Sequence, residues 1–169
     1  VELPGGAWAG IDTAVPNRVV REALEARQIA ELAAYTHVRP EVKYGENSRI
    51  DFLLTAPGLP DTYVEVKNVH LLREGDLAEF PDSVTARGAK HLRELSDMVA
   101  RGHRAVMLYL IQRTDCARLS FADDIDPGYA AALSAAIAQG VETLAYDVSI
   151  SVAGGVRLRN PIPVIPPAD

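Results

Sequence analysis

The sequence predicts an α/β domain built on a mixed sheet. Three observations carry this: a helical-period stretch near the start, three extended segments in quick succession, and an apolar run bracketed by two further helical segments. In the first, Val19, Val20, Ala23 and Leu24 recur at helical spacing after Pro16, with Asn17 placed to cap the helix. The segments Val38 to Tyr44, Arg49 to Thr55 and Thr62 to Asn68 are divided by Gly and Pro signals, which predicts an antiparallel meander. Asp82 or Ser83 then caps a helix in which Val84, Gly88, His91, Leu92, Leu95, Met98 and Val99 form a stripe ending at Gly102. The apolar run Ala105 to Ile111 suits a strand covered on both faces. Asp126 and Pro127 open a third helix that stops at Gly140, and a last strand from Val141 to about Val152 turns back at Gly154-Gly155. The order is αβββαβαβ with helices on both faces, and Pro161 to Asp169 reads as an extended tail.

At 169 residues and 48% apolar content, the chain suits a single domain with one substantial core, residues 1 to 16 forming a lead-in. No apolar run reaches the roughly 20 residues a membrane helix needs, and the start lacks the basic and apolar regions of a secretory signal. A single cysteine, Cys116, excludes an internal disulfide and a cysteine-rich zinc cluster. These features lead us to expect a cytoplasmic protein, and the absence of an initiator Met leads us to expect a trimmed or partial chain. The net charge of −6 works against indiscriminate binding of polyanions. The sign is uneven, however: Arg87 to Arg104 holds five basic residues against two acidic, while Asp115 to Asp147 holds six acids against one Arg. The basic stretch is either a solvated helix face or a surface that meets phosphate.

The turn at Pro57-Gly58-Leu59-Pro60 allows a register to be estimated. Centred on Gly58, it pairs Asp51 with Glu65, and directly opposed residues on antiparallel strands share a face with Cβ atoms about 5 Å apart. Alternation then sets Lys67 beside Glu65, and turns Ile50, Phe52, Leu54, Val64 and Val66 to the opposite, apolar face. Two carboxylates so placed repel, and either a raised pKa or a bound cation relieves them. Hard oxygen donors suit Mg²⁺ or Mn²⁺, with the Val66 backbone carbonyl as a third ligand and Glu22 on the first helix as a weaker fourth. Such an ion can activate water against a phosphodiester, and Lys67 can orient the water or offset transition-state charge. Asp51, Glu65 and Lys67 are therefore the candidate catalytic residues. The same three residues also suit a surface ion network, and two nearby acids alone would suit a retaining glycosidase. Lys67 and the lack of an aromatic-rich sugar platform weigh against the latter.

Arg18, Arg87 and Lys90 are candidate nucleic-acid contacts, although solvated charges look the same in sequence. His91 lies on an apolar stripe, where a hydrogen-bonded core histidine is the usual case. His37, His70 and His103 lack any zinc-site spacing. An Asp followed by Glu-x-Lys on the next strand, within αβββαβ order, resembles the PD-(D/E)xK nucleases. That likeness implies a restriction-endonuclease-like mixed sheet flanked by helices on both faces.

Longer stretches resemble the sugar fermentation stimulation proteins of bacteria and archaea. They include Val15-Pro-Asn-Arg18, Glu41-Val-Lys-Tyr-Gly45, Asn47-Ser-Arg-Ile-Asp-Phe-Leu-Leu54, Tyr63-Val-Glu-Val-Lys-Asn68, Phe80-Pro-Asp82, Thr85 to Glu94 and Gly102-His-Arg-Ala105. The resemblance implies a PD-(D/E)xK-type domain with its motif on Asp51, Glu65 and Lys67, DNA or RNA as partner, and a link to sugar utilisation. It also implies that the family's N-terminal OB-like barrel lies outside this sequence. Two functions follow as expectations: a Mg²⁺- or Mn²⁺-dependent endo- or exonuclease, or a DNA-binding regulator that does not cut. A homodimer is compatible with either.

Overall fold

The computed structural model describes residues 1–167. Helix α1 spans Val15–Glu25 and buries Pro16, Val19, Val20, Ala23 and Leu24, while Arg18–Glu22 and Arg21–Glu25 pair along its outer face. Pro16 sits in the first turn, where its missing N–H costs nothing. The expected Asn17 cap is not there. Ala14 occupies the cap position without a side-chain bond, because Asn17 lies one turn inside and bonds elsewhere.

A 3₁₀ turn at Ala30–Leu32 leads to strands β1 (His37–Tyr44), β2 (Ser48–Thr55) and β3 (Thr62–Val69), which form the expected antiparallel meander. The chain then makes β4 (Leu71–Leu72) and β5 (Leu77–Phe80), helix α2 (Ala86–Ala100), β6 (Arg104–Ile111) and β7 (Arg118–Phe121). Helix α3 (Pro127–Ala138), β8 (Glu142–Ser151) and β9 (Gly155–Pro161) complete it, with the chain turning back after β8 as the glycine pair predicts. The main sheet runs β1-β2-β3-β6-β8-β9, with β3, β6 and β8 parallel and the remaining pairings antiparallel. The fold is thus a mixed α/β arrangement with three α-helices.

β6 lies between two parallel neighbours, which explains its unbroken apolar run. Val106, Leu108 and Leu110 pack with α1, while Ala105, Met107, Tyr109 and Ile111 pack under α2 and α3. A small second sheet, β4-β5-β7, was not anticipated, since two- and four-residue strands carry no readable alternation. It also receives the Pro-rich end, where Leu119 donates to Pro163 and accepts from Ile165. Of the expected tail, Pro161 closes β9 and residues 163–165 are tied to β7; Ala168 and Asp169 lie outside the described residues. No helix among the described residues is long and apolar enough to cross a membrane.

The start of α2 departs from expectation. Its cap is Thr85, whose hydroxyl accepts from the Gly88 N–H, whereas Val84 is 76% exposed and lies outside the stripe. The cause is tertiary. Buried Asp126 caps α3 by accepting the Tyr129 N–H, and its second oxygen accepts the Thr85 N–H. Gly88 suits this junction because a Cβ there would meet Thr85 and Tyr129 at 2.9–3.0 Å. Asp126→Ala removes one cap and orphans a second N–H, so it should lower stability by about 2 kcal/mol or more. Urea unfolding should show this as a lower midpoint at an unchanged m-value.

Candidate metal centre

The β2–β3 hairpin turns at Gly58 (φ 78), and Leu54 pairs with Thr62, Leu53 with Tyr63, and Phe52 with Val64. Continued by one step, this register sets Asp51 opposite Glu65, as the sequence predicts. Main-chain pairing stops at Phe52–Val64, however, and the next link is made by a side chain. Asp51 Oδ2 accepts the Val66 N–H at 2.8 Å, and Asn17 Nδ2 donates to Asp51 Oδ1 at 2.8 Å. The N–H and C=O of one strand residue project to the same edge. The Val66 carbonyl is thus also directed to the edge where Asp51 sits.

The strand is irregular here on its other side too. The β1–β2 ladder passes over Glu41 and Asp51, and Glu41 has φ 54. One expectation fails at this point: Ile50 packs in the cluster under α2, not with Phe52, Leu54, Val64 and Val66 on the α1 side. The break in alternation at Asp51 is the reason.

Glu65 is 4% exposed. Its Oε1 accepts from Lys67 Nζ at 2.9 Å and faces His91 Nδ1 at 2.5 Å, while its buried Oε2 has no hydrogen-bond partner. The electrostatics of the two acids differ. Burial, then the Glu65 charge, raises the Asp51 carboxyl above its ordinary range despite the bonds from Val66 and Asn17. Burial also acts to raise Glu65, but hydrogen bonds from His91 and Lys67, with the Lys67 charge, outweigh it and hold Glu65 below its ordinary value.

Asp51, Glu65 and His91 line a cleft of about 390 Å³ together with Glu41, Asn47, Ser48, Arg49, Arg87 and Lys90. The structure therefore brings Arg87 and Lys90 to the same cleft as Arg49. Arg87 Nε donates to His91 Nε2 at 3.3 Å, and Lys90 Nζ to the Glu46 carbonyl at 3.0 Å. Arg18 and Glu22 are not brought in. They pair with each other at 3.1 Å on the exposed face of α1, because Val19, Val20, Ala23 and Leu24 turn that helix the other way. Among the described residues no group of three His, Cys, Asp or Glu side chains converges for a cation.

Sequence reasoning passed over Arg49, which carries no motif, and Glu94. Glu94 Oε1 accepts the Glu46 N–H at 3.2 Å, and Lys90 lies 3.7 Å from the same oxygen. The two α2 residues thereby hold the β1–β2 turn. The spacing Arg87, Lys90, His91, Glu94 is i, i+3, i+4, i+7, a readable sign that one helical face meets the site. Glu94 Oε2 and Tyr44 Oη are, like Glu65 Oε2, buried without a partner.

Residues 14–154 match the family described as Sugar fermentation stimulation protein RE domain. A Sugar fermentation stimulation protein homolog of Dinoroseobacter shibae is 67% identical over 168 residues, covering 99% of this chain and 68% of that protein. This chain belongs to the sugar fermentation stimulation protein family. A second homolog, from Ruegeria pomeroyi, is 64% identical over 154 residues, covering 91% of this chain and 67% of the relative. Among solved structures, that titled Pyrococcus furiosus SfsA in complex with Ca²⁺ superposes with a TM-score of 0.86 at 28% identity, covering 95% of this chain and 68% of the other. The chain thus spans about two thirds of the length of these relatives.

Asp51 ionises in the folded protein at a cost, since its folded pKa is raised above the unfolded value. That penalty is fully present at pH values above the folded pKa and vanishes as the pH falls through the unfolded one. Asp51→Asn in metal-free buffer should therefore raise the urea midpoint at pH 7. The gain should shrink as the pH is lowered into the range where wild-type Asp51 protonates.

Proposed function

We propose that this chain is a metal-dependent nuclease-type domain that hydrolyses phosphodiester bonds in nucleic acid, DNA foremost and RNA as the other substrate. The observation that carries the reading is the meeting of Asp51 and Glu65 where β2 and β3 part, with Glu65 Oε2 buried and unpartnered. An unpaired buried polar atom costs about 1–3 kcal/mol, and more when charged. A cation beside the pair would remove that cost. The donors fit Mg²⁺ or Mn²⁺: two carboxylates, the Val66 carbonyl directed to the same edge, and room for water. The Pyrococcus furiosus relative, solved with Ca²⁺, supports a hard-cation site. The αβββαβ order, with acids on β2 and β3 and helices on both faces, supports a restriction-endonuclease-like core.

Each residue has a role in this reading. Asn17 and the Val66 N–H fix Asp51 so that its remaining lone pairs face the cleft. Lys67 offsets charge on Glu65 and stands where charge grows as a phosphodiester is attacked. Arg49, Arg87 and Lys90, which line the cleft, suit the phosphates flanking the one cleaved. A bound divalent ion supplies the Lewis acidity that polarises a phosphoryl oxygen and acidifies water.

A second reading has one observation in its favour. With Glu22 held by Arg18 outside the cleft, and no three His, Cys, Asp or Glu side chains converging among the described residues, the side-chain ligand set is small, which suits a DNA-binding regulator of sugar-utilisation genes that does not cut. Titration of Mg²⁺, Mn²⁺ and Ca²⁺ against labelled single- and double-stranded DNA and RNA separates the two. Metal-dependent cutting that falls about 10²–10³-fold in Lys67→Ala, with binding retained, is the expected outcome. Binding without cutting under every ion would establish the regulator instead.

A further inference from the structure

Glu65 offers a cation only one oxygen, and the geometry points to His91, set by Arg87, as the residue that decides which one. We propose that Arg87 and His91 form a positioning relay that holds Glu65 Oε1 and leaves Oε2 as the ligand atom. The proposal rests on the metal-site reading above and adds two α2 residues to it.

The relay follows from donor inventory. A guanidinium Nε–H can only donate, so His91 Nε2, 3.3 Å from Arg87 Nε, must accept. A neutral ring accepting at Nε2 carries its proton on Nδ1. That proton points at Glu65 Oε1, 2.5 Å away, and a carboxylate oxygen accepts it. Lys67 Nζ, at 2.9 Å, donates to the same oxygen. Two donors thus converge on Oε1, while Oε2 of the same buried carboxylate has none.

Rotation of the carboxyl would exchange the two oxygens and move the free lone pairs. His91 prevents this because it is itself immobile, being 4% exposed on the packed face of α2. Arg87 is exposed, and its bond to Nε2 joins Glu65 in keeping the proton on Nδ1. Without it Glu65 alone selects that tautomer, so the donor to Oε1 is held less firmly. Outer partners that orient a metal ligand in this way are worth 10–100-fold in metal affinity.

The test is Mn²⁺ affinity by calorimetry on the full chain, with thermal melting of each variant alongside. His91→Leu keeps the bulk and removes the donor, and should weaken Mn²⁺ binding about 10–100-fold. His91→Asn returns an N–H near the Nδ1 position and should recover most of that loss, a rescue that mere packing would not give. Arg87→Leu changes only an exposed side chain, so it should fold normally and still weaken binding several-fold. If the wild type binds Mn²⁺ and the three variants bind equally well, the relay is overturned while the metal site stands. An Asn variant as weak as the Leu variant overturns it too. A wild type that binds no Mn²⁺ overturns the metal site and the relay together.

Discussion

A side-chain carboxylate takes the place of a main-chain carbonyl where β2 and β3 part: Asp51 Oδ2 accepts the Val66 N–H that a continued ladder would have satisfied. Much of the site depends on this substitution. It lets the strands separate without leaving a buried N–H unpaired, which the interior tolerates poorly. It leaves the Val66 carbonyl at an edge that no longer has a partner strand. Through the second oxygen of Asp51 it also ties in Asn17, so that one carboxyl fixes the relation of α1, β2 and β3.

The same placement creates an electrostatic problem that is solved unequally. Two unit charges at a cross-strand spacing of roughly 5 Å repel by about 3 kcal/mol at an effective dielectric of 20. Glu65 is relieved by Lys67, a charged donor, and by His91. Asp51 is raised by burial and then by the Glu65 charge, which its neutral donors, Asn17 and a backbone amide, do not offset.

How legible this was in the sequence depended on how local the cause was. The β2–β3 register as far as Phe52–Val64 could be read because a short turn at Gly58 fixes it locally. The cap of α2 could not, since Asp126, forty-one residues away, determines that Thr85 and not Asp82 or Ser83 ends the loop. Asn17 was read as a cap because its local propensity is strong, yet a long-range bond to Asp51 prevails. The placement of Glu22 is written in helical phase. At about 100° per residue, the stripe of Val19, Val20, Ala23 and Leu24 puts Arg18 and Glu22 on the far side of α1 and Asn17 at the stripe's margin. Helical phase alone favoured Asn17 over Glu22. The β4-β5-β7 sheet, by contrast, has no local signal, because its strands are held by partners distant in sequence.

The site also extends into parts of the fold that bear no chemistry. Helix α2 presents Arg87, Lys90, His91 and Glu94 along one face, and these residues reach respectively a ring nitrogen, a turn carbonyl, Glu65 and a turn amide. Their reach is correct only if α2 keeps its position against α3. That position is set by the close contact at Gly88 and Tyr129 and by the two bonds of Asp126. Tyr129 in turn bonds Tyr109 on β6, beside β3 in the sheet. Stability and site geometry are therefore coupled at Asp126, where one residue serves both. They oppose each other at Asp51, where the charge that would hold a cation is the charge that the empty fold tolerates least.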